Sequence, residues 1–341
     1  MRARLFALSF LSLLLLLTST PVHAEHCRCN SPDQVDAYDQ RLLDLQAEPN
    51  DVIDTELPLG IPTSEGGSDE PEQTSEFLLV TGEYVDCYDS DLLIPIWGAY
   101  VLTAADASAP GHYVTSGGKK SRIECFRTDP RLEPEEQSTC ADYKDPAKIN
   151  GKKVPPEKTF DQGHLCPAGD FHRTREAELD TYLLSNMTPQ YKYFNEDIWR
   201  FFEAEVRQWG KDRGEIIVMT GVTLDRNGDH KRDPDDKAKH MLTATGPSKM
   251  AIPTGYWKVV LARRSDGGYD HIAVLLPHKT TKLNQADSLA AISKAQTTID
   301  EIEARTGLDL FADLPDDMEN EIESQPAQGT WPLVKLSHAD D

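Results

Sequence analysis

Several short apolar runs of strand length are distributed along the 341-residue chain. Runs of this kind, rich in β-branched and aromatic residues and bounded by turn-forming residues, predict β-strands. They occupy residues 77–80, 94–103, 214–220, 256–262 and 271–276. Strands and helices are mixed along the chain without a regular βαβ alternation, so the pattern predicts an α+β protein.

Helical patterning is clearest in residues 193–210, where Gly210 is expected to end the helix. Residues 174–184 have weaker helical character. Residues 286–306 are predicted to be mostly helical and to end at Gly307.

The helix predicted over residues 193–210 has one apolar stripe, made of Trp199, Phe202 and Val206. At 100° per residue, Asn195 lies within about 40° of these three side chains. Asn195 is therefore expected to point towards the core, where an unpaired carboxamide costs about 1–3 kcal/mol. Glu203 and Arg207 flank the same face, either as part of a site or as an ordinary i,i+4 surface pair.

The first 24 residues have the pattern of a targeting segment. Arg2 and Arg4 precede an apolar run over residues 5–17, and small residues lead to Ala24. The run is shorter than the ~20 residues that a membrane span needs, so a cleaved signal peptide is favoured over an anchor. We expect a periplasmic or extracellular protein that has no membrane association after the signal is removed.

The cysteines indicate the same oxidising compartment. An even number follows Ala24, namely Cys27, Cys29, Cys87, Cys125, Cys140 and Cys166. Six cysteines allow 15 complete pairings, which the sequence does not choose between. Cys125 and Cys140 bracket an excursion rich in proline and glutamate and are the candidate pair, while Cys27 and Cys29 could tether the start of the chain. No CxxC pair occurs, which argues against a thiolate zinc site.

Net charge is −23, and much of it is concentrated near the N-terminus. Residues 31–80 contain thirteen acidic residues and one base, Arg41. We expect an acidic extension over residues 25–76 that is loosely packed at 50–74, then a compact domain at 77–320 and an acidic tail at 321–341. Charges more than about 8–10 Å from a site are screened at physiological salt, so this acidity is compatible with a locally basic site.

Candidate chemistry centres on Asp161, Gln162, Gly163 and His164. A histidine titrates near neutrality and can serve as a general base, although a buried histidine with a structural role is the alternative. Asp161 could hold the imidazole in one tautomer or cap the turn. Gly163 would let the backbone turn sharply beside a ligand.

This segment resembles the DRGH signature of the DNA/RNA non-specific endonucleases, the type of Serratia nuclease and endonuclease G. Residues 185–190 resemble the SN-x-x-PQ element of that family, and the helix matches its N-x3-W-x3-E-x3-R pattern. Further matches are Arg122 ahead of residues 127–130, and residues 219–221, 256–259 and 301–308. The matches cover residues 77–320 in order, and they imply a mixed or antiparallel sheet core with a ββα-metal active-site motif.

The resemblance implies a role for each matched residue. His164 would be the general base, and Asn195 would be the one direct protein ligand of Mg²⁺, with Mn²⁺ as a substitute. Glu203 would hold the waters of the metal, and Arg122 and Arg207 would bind the phosphate. The supporting residues of the site or substrate would be Asp161, Gln162 and Asn186. The implied activity is hydrolysis of DNA and RNA to 5′-phosphate ends.

Gln162 departs from this pattern, because the family has arginine at that position. Glutamine cannot supply a cationic fork to a phosphate. Activity would then be lower than is typical of the family, or Lys119, Lys120 or Arg127 would substitute. Two other functions stay open: a catalytically weakened nucleic-acid or phosphate-binding module, and a phosphodiesterase for another substrate.

A second candidate metal site lies at residues 225–236, where oxygen ligands alternate. Glycine stands at the fourth position of this stretch rather than at the sixth, as an EF-hand requires. A polar loop without metal is the favoured interpretation.

Overall fold

The computed structural model describes residues 25–30, 35–64, 75–116 and 118–335. Its longer strands are β3 (Glu76–Val80), β4 (Val85–Asp89), β5 (Ile94–Thr103), β11 (Phe160–His164), β12 (Met187–Tyr191), β13 (Glu215–Thr223), β14 (Lys239–Thr243), β15 (Gly246–Ile252), β16 (Gly255–Arg263) and β17 (Tyr269–Pro277). Shorter strands are β1 (His26–Cys29), β2 (Thr63–Ser64), β6 (Tyr113–Ser116), β7 (Lys119–Arg122), β8 (Cys125–Arg127), β9 (Lys148–Ile149), β10 (Lys152–Lys153), β18 (Gln296–Thr297), β19 (Leu308–Asp309) and β20 (Ala327–Gln328).

The described residues form eight α-helices. They are α1 (Val35–Ala47), α2 (Asn50–Glu56), α3 (Ala104–Ser108), α4 (Arg175–Asp180), α5 (Arg200–Arg213), α6 (Gln285–Lys294), α7 (Ile299–Thr306) and α8 (Asp316–Glu323). Among the described residues, none of these helices has the length and apolarity needed to cross a membrane.

The core is an antiparallel sheet in the order β18-β17-β16-β13-β5-β4-β3, with β20 pairing on β17. Its central strands β5, β13 and β16 are buried almost end to end, which is why their sequences are nearly continuous apolar runs. The predicted α+β class is confirmed, and so are the five predicted strands to within a few residues.

The predicted helix over residues 193–210 differs in two ways. It begins with a π-helical turn, Phe194–Trp199, and continues as α5 to Arg213. Gly210 does not end it: a Cβ there would lie 3.1 Å from Leu102, so Gly210 allows close packing inside the helix. The helix ends instead at Gly214, whose φ of 88° favours glycine.

Two other helix predictions were too long. The helix expected at 174–184 is the shorter α4, and 286–306 is divided into α6 and α7 by β18. Gly307 does end α7 in a left-handed conformation, with φ 72°.

The N-terminal segment packs against the domain more closely than its acidity suggested. Leu57 and Leu59 are buried in the main core, and the Glu56 carboxylate accepts a hydrogen bond of 2.8 Å from the Val101 backbone amide. The prediction of loose packing is therefore wrong for residues 50–62, because their few apolar residues are placed at core positions. Residues 31–34 and 65–74 lie outside the described part.

The C-terminal segment is also packed in its described portion. Ile322 of α8 is buried, and Trp331 meets Trp209 of α5 edge to face with 5.2 Å between ring centroids. The expected acidic tail therefore covers part of the body up to residue 335. Residues 336–341 and the targeting segment 1–24 lie outside the described residues.

Two disulfides join the start of the chain to the domain, Cys27–Cys140 and Cys29–Cys125. The predicted tether is confirmed, but the predicted Cys125–Cys140 pair is wrong. The reason is the pairing of β1 with β8, which places Cys29 directly opposite Cys125. Cys87 and Cys166 are buried free thiols.

Candidate active site

The candidate site is built on two strands and a helix. Strands β11 and β12 form an antiparallel ribbon in which His164 pairs with Met187. The turn of helix that carries Asn195 lies beside this ribbon, since the Trp199 indole Nε1 donates to the His164 carbonyl at 3.3 Å. This bond holds the end of β11, with His164, against the helical turn that contains Asn195.

His164 has an unusual environment for an imidazole. Its ring meets the edges or faces of both Phe126 and Tyr182, at centroid distances of 6.0 and 5.1 Å, and its Nε2 atom is buried without a hydrogen-bond partner among the described residues. Burial, reinforced by the positive charge of Arg122, lowers the pKa of His164 from 6.5 to about 3. The imidazole is therefore neutral at physiological pH, with a ring nitrogen that is not used by the fold.

Asn195 is half-buried, and its carboxamide has a fixed orientation. Its Nδ2 donates to Asp161 Oδ2 at 3.2 Å. Since an ionised carboxylate only accepts hydrogen bonds, the amide must turn its nitrogen towards Asp161 and its Oδ1 away from it. The helical-wheel prediction that Asn195 lies on the buried stripe holds only partly, because the π-helical turn changes the 100° phase on which it rested.

Asp161 does not hold the imidazole of His164. The two residues lie three apart on β11, so their side chains point to opposite faces of the ribbon, and Asp161 binds Asn195 instead. Burial raises the pKa of Asp161, and the hydrogen bond from Asn195 partly offsets this.

Glu203 and Arg207 are not a simple surface pair. Arg207 Nη1 donates to Asp170 Oδ1 at 2.7 Å, and Asp170 Oδ2 in turn accepts from the Tyr100 hydroxyl at 2.6 Å. Burial raises the pKa of Glu203 to about 7, although the charges of Lys258 and Arg207 act against the rise. The two residues thus belong to a partly buried charged cluster next to the ribbon.

Lys258 belongs to this cluster and was not singled out from the sequence. It is fully buried, donates to Thr220 Oγ1 at 3.1 Å and lies 4.6 Å from the centre of the Trp199 ring. Burial lowers the pKa of Lys258, and the negative charges of Glu203 and Asp170 oppose that shift. The signal in the sequence was a lysine inside an otherwise apolar strand run.

Arg122 ends β7 and is half-buried. Its positive charge reinforces the lowering of the His164 pKa, and it partly offsets the rise that burial causes in the pKa values of Tyr182 and Glu203. The structure therefore brings Arg122 within electrostatic reach of both the candidate base and the candidate carboxylate.

Asn186 is fully buried, and both ends of its amide group bind backbone atoms. Oδ1 accepts from the Cys166 amide at 2.8 Å, and Nδ2 donates to the carbonyls of Cys166 and Thr181 at 2.9 Å each. It holds in place the chain that follows His164.

Gln162 is half-buried on β11, opposite Pro189. Of the bases considered as replacements for the missing arginine, Arg127 is excluded because it is buried and bound to Asp39 Oδ1 at 3.0 Å and to the Leu179 carbonyl at 2.7 Å. Lys119 and Lys120 are exposed and stay candidates.

The loop at residues 225–236 uses its carboxylates to close itself. Asp225 accepts from the amides of Gly228 and His230 at 2.7 and 3.1 Å, and Asp233 accepts from the Arg226 amide at 2.6 Å. This geometry favours the polar loop over a calcium site.

Most of the sequence matches a family of known proteins. The DNA/RNA non-specific endonuclease model matches residues 68–317. The nuclease of Serratia marcescens is 29% identical over 270 residues, covering 79% of this chain and 84% of the relative. Nuclease C1 of Cunninghamella echinulata var. echinulata is 29% identical over 242 residues, covering 70% of this chain and 84% of the relative.

Venom phosphodiesterases match the same chain over a smaller share of their own length. The venom phosphodiesterase of Naja atra is 26% identical over 311 residues, which is 84% of this chain and 34% of the relative. The chain thus spans about a third of the length of these relatives.

Proposed function

The chain belongs to the DNA/RNA non-specific endonuclease family, and from that premise we propose that it is an exported, Mg²⁺-dependent endonuclease that hydrolyses DNA and RNA to 5′-phosphate ends. One observation carries the proposal. The buried Nε2 of His164 has no partner in the described fold, beside a helix whose Asn195 turns its Oδ1 away from Asp161.

The donor set fits a magnesium ion. Mg²⁺ prefers oxygen ligands and usually keeps several of its waters. Asn195 would hold the ion through Oδ1, and Glu203, further along the same helix, would accept hydrogen bonds from its waters. When bound, the hydrated ion would supply positive charge to the leaving 3′-oxygen. Mn²⁺ has the same preference for oxygen and is expected to substitute.

His164 would act as the general base. Its neutral imidazole takes a proton from a water molecule, the water oxygen forms a bond to phosphorus, and the bond from phosphorus to the 3′-oxygen breaks. The released oxygen takes up a proton from solvent water, and the imidazolium returns its proton to solvent, which leaves a 3′-hydroxyl and a 5′-phosphate. A pKa of about 3 is low for a base, but the negative charge of a bound phosphate raises the pKa of a nearby imidazole.

Arg122 and Arg207 would neutralise the phosphate as charge builds up on its oxygens. Asp170 binds Arg207 through Nη1. A guanidinium has five N–H donors, so Arg207 could contact Asp170 and the phosphate at the same time. Contacts of this kind read the phosphate and carry no base information, so low sequence specificity follows.

The exported location rests on the pattern of residues 1–24 and on two disulfides, which persist in oxidising compartments. The catalytic domain is proposed to span residues 77–320, with the acidic N-terminal segment packed on it.

A second candidate function is hydrolysis of another phosphodiester, which the venom phosphodiesterase relatives favour. A weakened binding module is the third, suggested by Gln162. The three are separated by incubating the purified protein with supercoiled plasmid, RNA and bis(p-nitrophenyl) phosphate, each with Mg²⁺ or with a chelator.

We expect Mg²⁺-dependent cleavage of both plasmid and RNA, with ends that a ligase accepts without a kinase because they carry 5′-phosphates. Efficient hydrolysis of the small ester alone would favour the second candidate. Binding of plasmid without cleavage in Mg²⁺ would contradict the proposal and favour the third.

A further inference from the structure

The ribbon that carries His164 has an aromatic pair at its other end. Phe160 and Tyr191 are direct cross-strand partners, and their rings are stacked at 4.5 Å with an interplanar angle of 26°. Both side chains are only half-buried, although they border the main core. Phe160 lies four positions before His164, which is about 13 Å along a strand.

One lysine contacts this pair directly. The Nζ atom of Lys239 lies 3.0 Å from the Tyr191 hydroxyl and 5.7 Å from the centre of its ring. Lys192, the next residue along the chain, points to the other face of the ribbon and pairs with Glu196. Lys239 therefore places positive charge next to the rings.

A basic segment adjoins the same ribbon end. Residues 144–158 contain five lysines and two acidic residues, in a chain whose net charge is −23, and all five lysines are exposed. The hairpin β9–β10 forms its centre. The segment is fixed to this ribbon end because Asp145 Oδ2 accepts from the Phe160 amide at 3.1 Å. Tyr143, just before the segment, donates to the Met187 carbonyl at 2.9 Å, at the ribbon end that carries His164.

Aromatic rings combined with exposed lysines are the features with which proteins bind single-stranded nucleic acid. Bases stack on the rings, at a gain that amounts to roughly a 5- to 150-fold change in affinity for each base, and lysines follow the backbone. In a duplex the bases are paired and stacked on each other, so their faces are not accessible to such a platform. The arrangement therefore distinguishes unpaired from paired strands.

We propose that Phe160 and Tyr191, with the lysines around them, form a subsite for an unpaired base of the strand whose phosphate lies at His164. The inference rests on the proposed function and deepens it, because it makes single-stranded DNA and RNA the better-bound substrates. The phosphate site would still accept duplexes, through contacts to the backbone alone.

The test measures binding in chelator, so that it does not depend on catalysis. The probes are fluorescein-labelled oligo(dT), oligo(U), a duplex of equal length and an abasic strand that has the phosphates but no bases. Wild-type protein should bind the abasic strand at least about 5-fold more weakly than oligo(dT). Equal affinities would overturn the proposal without any variant being needed.

Variants then locate the subsite. Tyr191→Leu and Phe160→Leu should each weaken oligo(dT) binding at least about 5-fold and leave duplex binding within about 2-fold. The matched control is Phe201→Leu, a half-buried aromatic with Arg200 at 4.5 Å from its ring on the helix surface, which should change neither. Equal losses for single strand and duplex, or no loss, would overturn the assignment.

The basic segment has its own readout. Lys152→Gln with Lys153→Gln should lower the slope of log affinity against log salt for single strands by about 1.4, since each contact releases about 0.7 counterion. An unchanged slope would remove the hairpin from the subsite. If single-strand binding behaves as expected but Mg²⁺ supports no cleavage, the proposed function fails while the binding subsite stands.

Discussion

The hydrogen bond between Asn195 and Asp161 should determine how tightly the proposed site binds its metal. Replacing Asp161 with alanine removes the acceptor, 3.2 Å from Asn195 Nδ2, that fixes which end of the carboxamide points away from β11. Without it the amide can turn over and present its nitrogen where the proposed metal ligand is needed. Asp161 itself would not touch the substrate, so its role is to position Asn195.

The expected magnitude follows from that one hydrogen bond. Bonds to charged acceptors contribute about 1.5–3 kcal/mol, and 3.2 Å is at the long end of the range, so about 1.5 kcal/mol is reasonable. Since 1.4 kcal/mol is a factor of ten, the Asp161→Ala variant should bind Mg²⁺ about 10-fold more weakly. Loss of groups that orient metal ligands typically costs 10- to 100-fold in metal affinity, which agrees with this value.

The assay is the metal dependence of cleavage, together with direct Mn²⁺ titration by electron paramagnetic resonance. Asp161→Ala should need about 10-fold more metal and recover most of its kcat at saturation. Asp161→Asn keeps an acceptor and should lie between alanine and wild type. Asp212→Ala, which removes a carboxylate that accepts from the Gln208 amide at 2.9 Å on the helix surface, is the control and should behave as wild type.

Binding of Mn²⁺ by Asp161→Ala as tight as that by wild type would show that Asp161 does not orient the metal ligand. A loss of kcat that saturating metal does not restore would also contradict this positioning role. Folding should not be limiting, because burial raises the pKa of Asp161 and its charge is therefore held at a cost in the folded state.

Three further predictions follow from the same structure. Burial raises the pKa of Glu203 from 4.5 to about 7, so the protonated form is favoured on folding and its contribution to stability is lost as pH rises through 7. In chelator at pH 8, Glu203→Gln should therefore raise the free energy of unfolding by about 1–3 kcal/mol, and it should also lower activity. A lower free energy of unfolding would contradict this prediction. Replacing Cys29 and Cys125 together with alanine opens a loop spanning 96 residues and should cost about 2–5 kcal/mol in urea unfolding, whereas an unchanged midpoint would show that the β1–β8 pairing holds without it. Gln162→Arg should raise turnover by restoring a cationic phosphate contact, and an unchanged rate would show that an exposed lysine already supplies one.

The sequence predicted the sheet well because its central strands are buried along their length and their apolar runs are continuous. Helix ends were less predictable. Gly210 and Gly214 are equally good stop signals in sequence, and only the packing of Gly210 against Leu102 shows which of them lies inside the helix. The start of that helix was missed for a related reason, since a π-helical turn leaves no clear periodic signal.

For the site, the sequence indicated which residue types were involved, but it did not indicate which partner each of them binds. Strand alternation already separates Asp161 from His164 once β11 is assigned, but that Asp161 binds Asn195 depends on how the helix lies on the ribbon. Arg127 looked like a spare phosphate contact, and a buried ion pair with Asp39 uses it instead. Cysteine pairing likewise depended on the pairing of β1 with β8, which joins cysteines 96 residues apart in the chain.

Lys258 is the instructive omission. A lysine in the middle of an apolar strand run is rarely buried without a charged partner, so it could have been taken as a pointer to a carboxylate facing the same strand. The structure supplies that charge as Glu203 and Asp170.

The most direct measurement of the central claim is single-turnover cleavage of supercoiled plasmid in Mg²⁺ by His164→Ala. General-base catalysis typically contributes 10²- to 10⁴-fold, so the rate should fall by about that factor while metal and DNA affinities stay near wild type, and added imidazole should restore part of it. His271→Ala, which removes a buried histidine whose Nε2 binds the Gln325 carbonyl in the sheet, controls for loss of a buried ring. A correctly folded His164→Ala protein that cleaves within about 10-fold of wild type would contradict the assignment of His164 as the base.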